Sequence, residues 1–493
     1  MNVHLMFNDN DFLPDTHPQC PNHETLTDDL GLSYIIDTMA GGDEIMRASC
    51  TAALLSPLSD CRAILYRQQI LTDALEHPDC MRILYNITTE ARAQEKRSLF
   101  WLSGKELSGI FSNAIGLLQI YVKMLQRLRA AADIFLPLVK SDGLRNLFTQ
   151  FEHELDDAYF NEVSDYLTGL ENRKSILIGA KFGSHLQGTE YALLENEEKE
   201  VRHHWRFAPS YTLAEQDGSG TKDFEMRIER ALNESTDALA QSAEHLQHFF
   251  AALQYEAGFY IGCCNLMVQM RKTGMPFCLP HVVPFQSASQ WSSCRLYDVS
   301  LMLVQKSSVV WNDFEAGGKN LCIVTGANQG GKSTFLRSIG QAQLMAQCGM
   351  CVGAEQLTVS VKSGIFTHFK KEEDSALNSG KLDEELARMD SIAGHLKPDA
   401  LVLFNESFAA TNEREGSEIS RQIVCALMEH RITVVFVTHQ YEFAEYFYTN
   451  KTDTMIFLRA ERQNDGARTF KISAGAPMKK SFASDIFSKI FPG

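Results

Sequence analysis

Gly326-Ala327-Asn328-Gln329-Gly330-Gly331-Lys332-Ser333 is the stretch on which the reading of this chain turns. It satisfies G-x-x-x-x-G-K-[ST] in the right setting: the apolar run Leu321–Val324 leads in as a strand, and a helix leads out from Ser333. Glycines let backbone N–H groups wrap phosphate oxygens, and the helix N-terminus adds positive potential. In such a loop Lys332 reaches the β- and γ-phosphates and the Ser333 hydroxyl ligates Mg²⁺. Gly326 through Ser333, together with Thr334, therefore form a candidate nucleotide cradle.

Further apolar runs follow, alternating with helical patterns: Leu401–Phe404, Ile432–Val437 and Thr454–Leu458. This alternation predicts an α/β fold after about Ser293, a mainly parallel sheet covered by helices on both faces. Leu401-Val402-Leu403-Phe404 ends in Asn405-Glu406. Acids at a strand end beside such a loop hold Mg²⁺ through water and polarise the attacking water. Here the first position is Asn405, whose amide oxygen accepts a hydrogen bond from a metal-bound water but supplies no charge. Glu406 is then the candidate general base. Ile432–Val437 ends in Thr438-His439, and a histidine there is placed to sense a γ-phosphate.

Upstream the pattern is all-α. From about Ile45, Leu117, Ile120, Tyr121, Met124, Leu125 and Leu128 recur at three- and four-residue spacing. Lys123, Arg127 and Arg129 beside that stripe read first as a solvated helix face and second as a DNA contact. Between Ser175 and Thr221 the period changes, and Ser175–Gly179 and Tyr191–Leu194 read as strands of a small β insert. Arg202-His203-His204-Trp205-Arg206 in this insert suits an exposed turn, with a grip on a phosphate backbone as the alternative. Helix resumes from about Asp223 to Met270. Phe249–Met270 is broken by Gln254, Glu256 and Asn265, so it reads as a buried helix and not a membrane span. The expected divisions are an acidic, partly extended arm at 1–44, a helical core with a β insert at 45–292, and an ATPase domain at 293–493.

Over 493 residues, 44% hydrophobic and 22% charged residues exclude wholesale disorder. The net charge of −16 requires any nucleic-acid contact to come from local basic patches. Twelve cysteines in a chain of this length do not form a disulfide framework, and Cys348-x-x-Cys351 lacks a second pair for zinc. Met1–Asn10 lacks the basic and apolar regions of a secretory signal, so a cytoplasmic location is expected.

Thr325 through Thr334, followed by Asn405-Glu406 and Thr438-His439, resembles the MutS family of ABC-type ATPases. Trp311-Asn312-Asp313 before the first strand and Ile365-Phe366-Thr367 after the loop helix extend the likeness. So does Ser407–Asn412, in the loop that crosses to a partner subunit in that family. Upstream, Thr38, Gly41, Leu54, Leu55, Pro57, Leu58, Asp60, Ile64, Arg67 and Gln68 are similar to the opening of the family's helical core. The resemblance implies ATP and Mg²⁺ as cofactors, with Asn312 at the nucleotide. Ser379-Gly380-Lys381 is the counterpart of the signature segment that caps a partner's γ-phosphate, which implies a homodimer or a heterodimer with a paralogue. The family's mismatch-reading domain is not expected, because Phe160-Asn161-Glu162 lies deep in the helical region. Lys480-Ser481-Phe482 stands close to the last residue, leaving little room for a terminal dimerisation element. The expected function is a dimeric, nucleotide-gated clamp on duplex or branched DNA. The alternative is an ATP-gated scaffold with little turnover, which Asn405 favours.

Overall fold

The computed structural model describes residues 1–100, 107–171, 178–182, 189–193, 218–285, 289–371, 380–462 and 468–477. The Arg202–Arg206 cluster, Ser379 and Lys480–Phe482 lie outside the described residues. The chain divides into two compact units, one of Met1–Val3, Arg82–Val139 and Leu144–Gln254, the other of His4–Met81, Lys140–Gly143 and Tyr255–Gly493.

The first unit is helical, as the apolar spacing predicts. Leu107–Phe135 buries Tyr121, Leu125 and Leu128 along one stripe. Tyr121 stacks on Phe250 at 5.0 Å and donates to Glu95 Oε2 at 3.2 Å. Ile178–Phe182 (β1) and Thr189–Leu193 (β2) pair antiparallel, so the insert contains paired β-strands. The resumed helix, Gly218–Lys272, contributes to both units.

In the second unit six strands form one sheet, in the spatial order β12(Arg468–Ala474), β11(Met455–Arg462), β6(Leu321–Thr325), β10(Thr433–Val437), β9(Leu401–Asn405) and β8(Ile365–Phe369). All neighbours run parallel except the β11–β12 pair at the edge. Every residue of β6 is buried, which explains its unbroken apolar run. Phe366, Phe404, Phe436 and Phe443 pack beneath the sheet, with Phe404 stacked on Phe436 at 4.9 Å. A second, mixed sheet of four strands combines His281–Val283 (β3), Trp291–Leu296 (β4), Asn312–Glu315 (β5) and Gln356–Ser360 (β7). Its strands are short, and buried and exposed residues alternate along Asn312–Glu315.

Residues 1–44 depart in part from the expected acidic, partly extended arm. His23–Leu30 and Leu32–Ala40 are helices, and Leu5, Met6 and Phe12 are buried. The cause lies far along the chain. The Glu256 carboxylate accepts the N–H groups of Leu5, Met6 and Phe12 at 2.5, 2.9 and 2.6 Å. Arg67 Nε donates to the Met6 carbonyl and the Tyr260 hydroxyl to that of Leu5. Three buried side chains thus satisfy a backbone with no regular ladder of its own. Burial pushes the Glu256 carboxyl up to about 8, against the pull of the Phe12 N–H.

Candidate nucleotide site

Parallel pairing brings three strand ends to one edge. β6 lies between β11 and β10, and β10 pairs with β9, with Val437 in register with both Val324 and Asn405. The segments after β6, β9 and β10 therefore emerge side by side, where ligands bind in open α/β sheets.

The loop after β6 turns through Gly326 at φ +123° and Gly331 at φ +91°, with Gln329 also left-handed at +58°. A Cβ on Gly330 would lie 2.8 Å from Ala460 Cβ and 3.0 Å from the Ala327 carbonyl oxygen, so only glycine fits. Arg468 holds the Gln329 side chain from β12. Gly331 caps the helix Lys332–Gln347, whose first backbone N–H groups face the loop.

Lys332 is 4% exposed and donates to the carbonyls of Gly326 and Ala327 at 3.1 and 3.0 Å. Burial pushes its ammonium down to about 8, with Glu406 opposing the shift. Ser333 Oγ donates to Asn405 Oδ1 at 2.9 Å, joining the loop helix to the end of β9. His439 Nε2 lies 2.9 Å from Glu406 Oε1 and 3.2 Å from Lys332 Nζ. A carboxylate only accepts, so the imidazole proton on Nε2 serves Glu406, and Lys332 directs its protons to the loop carbonyls. That hydrogen bond from His439 holds the Glu406 carboxyl below its usual range. Glu406 itself sits at φ +54°, a conformation that costs a side-chain-bearing residue energy and clusters at functional sites.

These groups open onto a cavity of about 460 Å³, within the range of small-molecule sites. Gln329, Gly330, Gly331, Lys332, Ser333 and Thr334 border it, as do Asn312 and Glu406. Asn312 is buried, and its Oδ1 accepts the Ile472 N–H at 2.7 Å, tying the cavity wall to β12. Asn405 and His439 reach the site through Ser333, Lys332 and Glu406. Gly380 caps the helix Lys381–Ala393 and, among the described residues, does not border the cavity.

Sequence reasoning missed the apolar wall. Leu301, Val309, Val310 and the half-exposed Phe470 line the cavity beyond the phosphate loop. No motif marks them, and Phe470 lies in an edge strand with an irregular burial pattern. Cys348 and Cys351 are buried elsewhere in this unit, and burial pushes both thiols up to about 12. No helix among the described residues is long and apolar enough to cross a membrane.

Residues 59–273 match the MutS2 N-terminal domain, and residues 322–489 match MutS domain V. The chain belongs to the MutS family. Domain V includes β6, the phosphate loop and the ends of β9 and β10. The chain is 26% identical over 325 residues to the DNA mismatch repair protein MutS of Prochlorococcus marinus, covering 62% of this chain and 34% of that protein. It is 30% identical over 179 residues to MutS protein homolog 4 of Mus musculus, covering 35% of this chain and 19% of the relative. It is 32% identical over 148 residues to the endonuclease MutS2 of Pediococcus pentosaceus, covering 30% and 19%. The chain thus spans about a third or less of the curated relatives it matches.

Proposed function

We propose that the chain binds ATP with Mg²⁺ in this cavity, hydrolyses it with Glu406 as general base, and uses the nucleotide state to control a dimer's grip on DNA. The observation that carries the reading is the convergence of Lys332, Ser333, Asn405, Glu406 and His439 within hydrogen-bond distance at three adjacent strand ends.

The residues present fit both groups. Glycines at 326, 330 and 331 leave the loop free of side chains that would fill a phosphate cradle, and the helix N-terminus and Lys332 supply positive charge. The apolar wall of Leu301, Val309, Val310 and Phe470 suits a nucleobase. For Mg²⁺ the donor set is hard oxygen: the Ser333 hydroxyl, with Asn405 acting through water. When bound, the ion neutralises charge on the β- and γ-phosphates. Glu406 accepts a proton from the attacking water, and its lowered pKa keeps it ionised to do so. His439 fixes the orientation of that carboxylate through Nε2, and Lys332 turns from the loop carbonyls to the phosphates.

Gly380 stands away from its own chain's cavity, and this supports a signature segment that acts on a second subunit, as a homodimer or beside a paralogue. The matches to proteins named for DNA mismatch repair support DNA as the partner. The match of residues 322–489 to MutS domain V supports an ATPase domain, which we place at residues 293–493, and a cytoplasmic setting is part of the same proposal. A second reading, an ATP-gated scaffold with little turnover, is favoured by the uncharged Asn405 at the Ser333 hydroxyl.

Steady-state ATP hydrolysis with and without homoduplex, mismatched and branched DNA separates the two. DNA-dependent turnover that is lost in Lys332→Ala and Glu406→Gln supports the first. Turnover that is negligible with every DNA supports the second. Unchanged ATP affinity in Lys332→Ala overturns the site itself.

A further inference from the structure

His368 is the fourth residue of β8 and is 1% exposed. Its Nε2 lies 2.9 Å from the Glu385 carbonyl, which can only accept, so the proton resides on Nε2 and Nδ1 is bare. The Ser407 hydroxyl lies 2.8 Å from Nδ1 and 2.5 Å from the His368 carbonyl oxygen. Whichever of these acceptors takes its single proton, Ser407 is fixed to His368. Burial pushes the imidazole down to about 4, so it stays neutral at physiological pH.

Ser407 separates two strained residues, Glu406 at φ +54° and Phe408 at φ +58°. The imidazole stacks on the Phe408 ring at 5.0 Å. From the other side, Gln440 Nε2 donates to the Phe408 carbonyl at 3.0 Å, and a Cβ on Gly416 would come within 2.3 Å of that oxygen. The turn carrying Glu406 is therefore gripped from both flanks. Glu385 belongs to the helix Lys381–Ala393, and Arg388 on the same helix donates to the Phe369 carbonyl at 2.9 Å, one residue beyond His368.

We propose that His368 is a positioning residue for Glu406: it holds the strained turn through Ser407, and its Nε2 ties that turn to the helix that Gly380 begins. A displacement of this helix then reaches the carboxylate of the same chain. This inference rests on the reading of Glu406 as the general base.

The test compares kcat, ATP dissociation constant and melting temperature for the full chain. His368→Ala lowers kcat by about tenfold to a hundredfold, the cost of a misplacement near 1 Å, with ATP affinity unchanged. His368→Gln keeps one donor and one acceptor and restores most of the rate. Arg388→Ala gives a smaller fall of the same kind, and the double variant falls no further than His368→Ala alone. Should His368→Ala fail to fold, Ser407→Ala is measured in its place against the same criteria. A wild-type rate in the tested variant, beside a dead Glu406→Gln, overturns the positioning role and leaves the site intact. A parallel loss of affinity and rate, or independent effects of His368 and Arg388, also overturns it. Full turnover in Glu406→Gln brings down the reading of the site and this role with it.

Discussion

Glu406 and Glu256 are both carboxylates of the same unit, yet they are held in opposite ways. Glu256 is fully buried and accepts three backbone N–H groups, and burial raises its pKa. Glu406 is a third exposed at a cavity mouth, with an imidazole and a lysine as neighbours, and His439 lowers its pKa. Backbone donors cannot change their protonation or turn away, so the Glu256 seat fixes a conformation. Side-chain partners that can rotate away, as around Glu406, leave a group able to do chemistry. A carboxylate's donors say more about its role than its burial does.

The contrast is sharpest under substitution. Glu406→Gln is expected to lower ATP turnover by about 10²–10⁴-fold, the usual range for a general base, with the melting temperature nearly unchanged. Glu256→Ala is expected to do the reverse. Three orphaned N–H groups lower the unfolding free energy by about 3–5 kcal/mol in urea titrations, while turnover per folded molecule is preserved. A large rate loss in Glu256→Ala would break the comparison.

Proton linkage gives smaller effects of opposite sign. Lys332 releases its proton near pH 8 in the folded chain and near its ordinary 10.5 when unfolded. The unfolded chain therefore binds more protons in that window, and this residue's contribution to stability rises with pH. ATP affinity moves the other way, weakening about tenfold for each pH unit above 8, because the neutral amine holds phosphate poorly. Fluorescent-nucleotide titrations from pH 7 to 9 measure it. Glu256 keeps its proton to about 8 when folded and releases it near 4.5 when unfolded, so its contribution falls as pH rises through that window. Melting curves should show Glu256→Gln flattening this fall.

What the sequence made legible follows the same division. The phosphate loop, Asn405, Glu406 and His439 were readable because backbone geometry demands particular residue types at strand ends. The order β6–β10–β9 that brings them together comes from parallel pairing among interchangeable apolar runs, and no residue announces it. Phe470 and Val310 cannot be read from the sequence, because an apolar wall has no motif. The N-terminal stretch misled because Asp9, Asp11, Asp15 and three prolines dominate its composition. Its burial depends instead on Leu5, Met6 and Phe12 meeting a carboxylate some 250 positions away. In the sequence Glu256 reads only as an interruption of an apolar helix.

That seat also sets an order of events during synthesis. Residues 5–12 are made 251 to 244 positions ahead of the carboxylate that receives them. At roughly 5–20 residues per second, their partner is translated about 12–50 s later. Until then Leu5, Met6 and Phe12 lack the carboxylate that receives their backbone N–H groups.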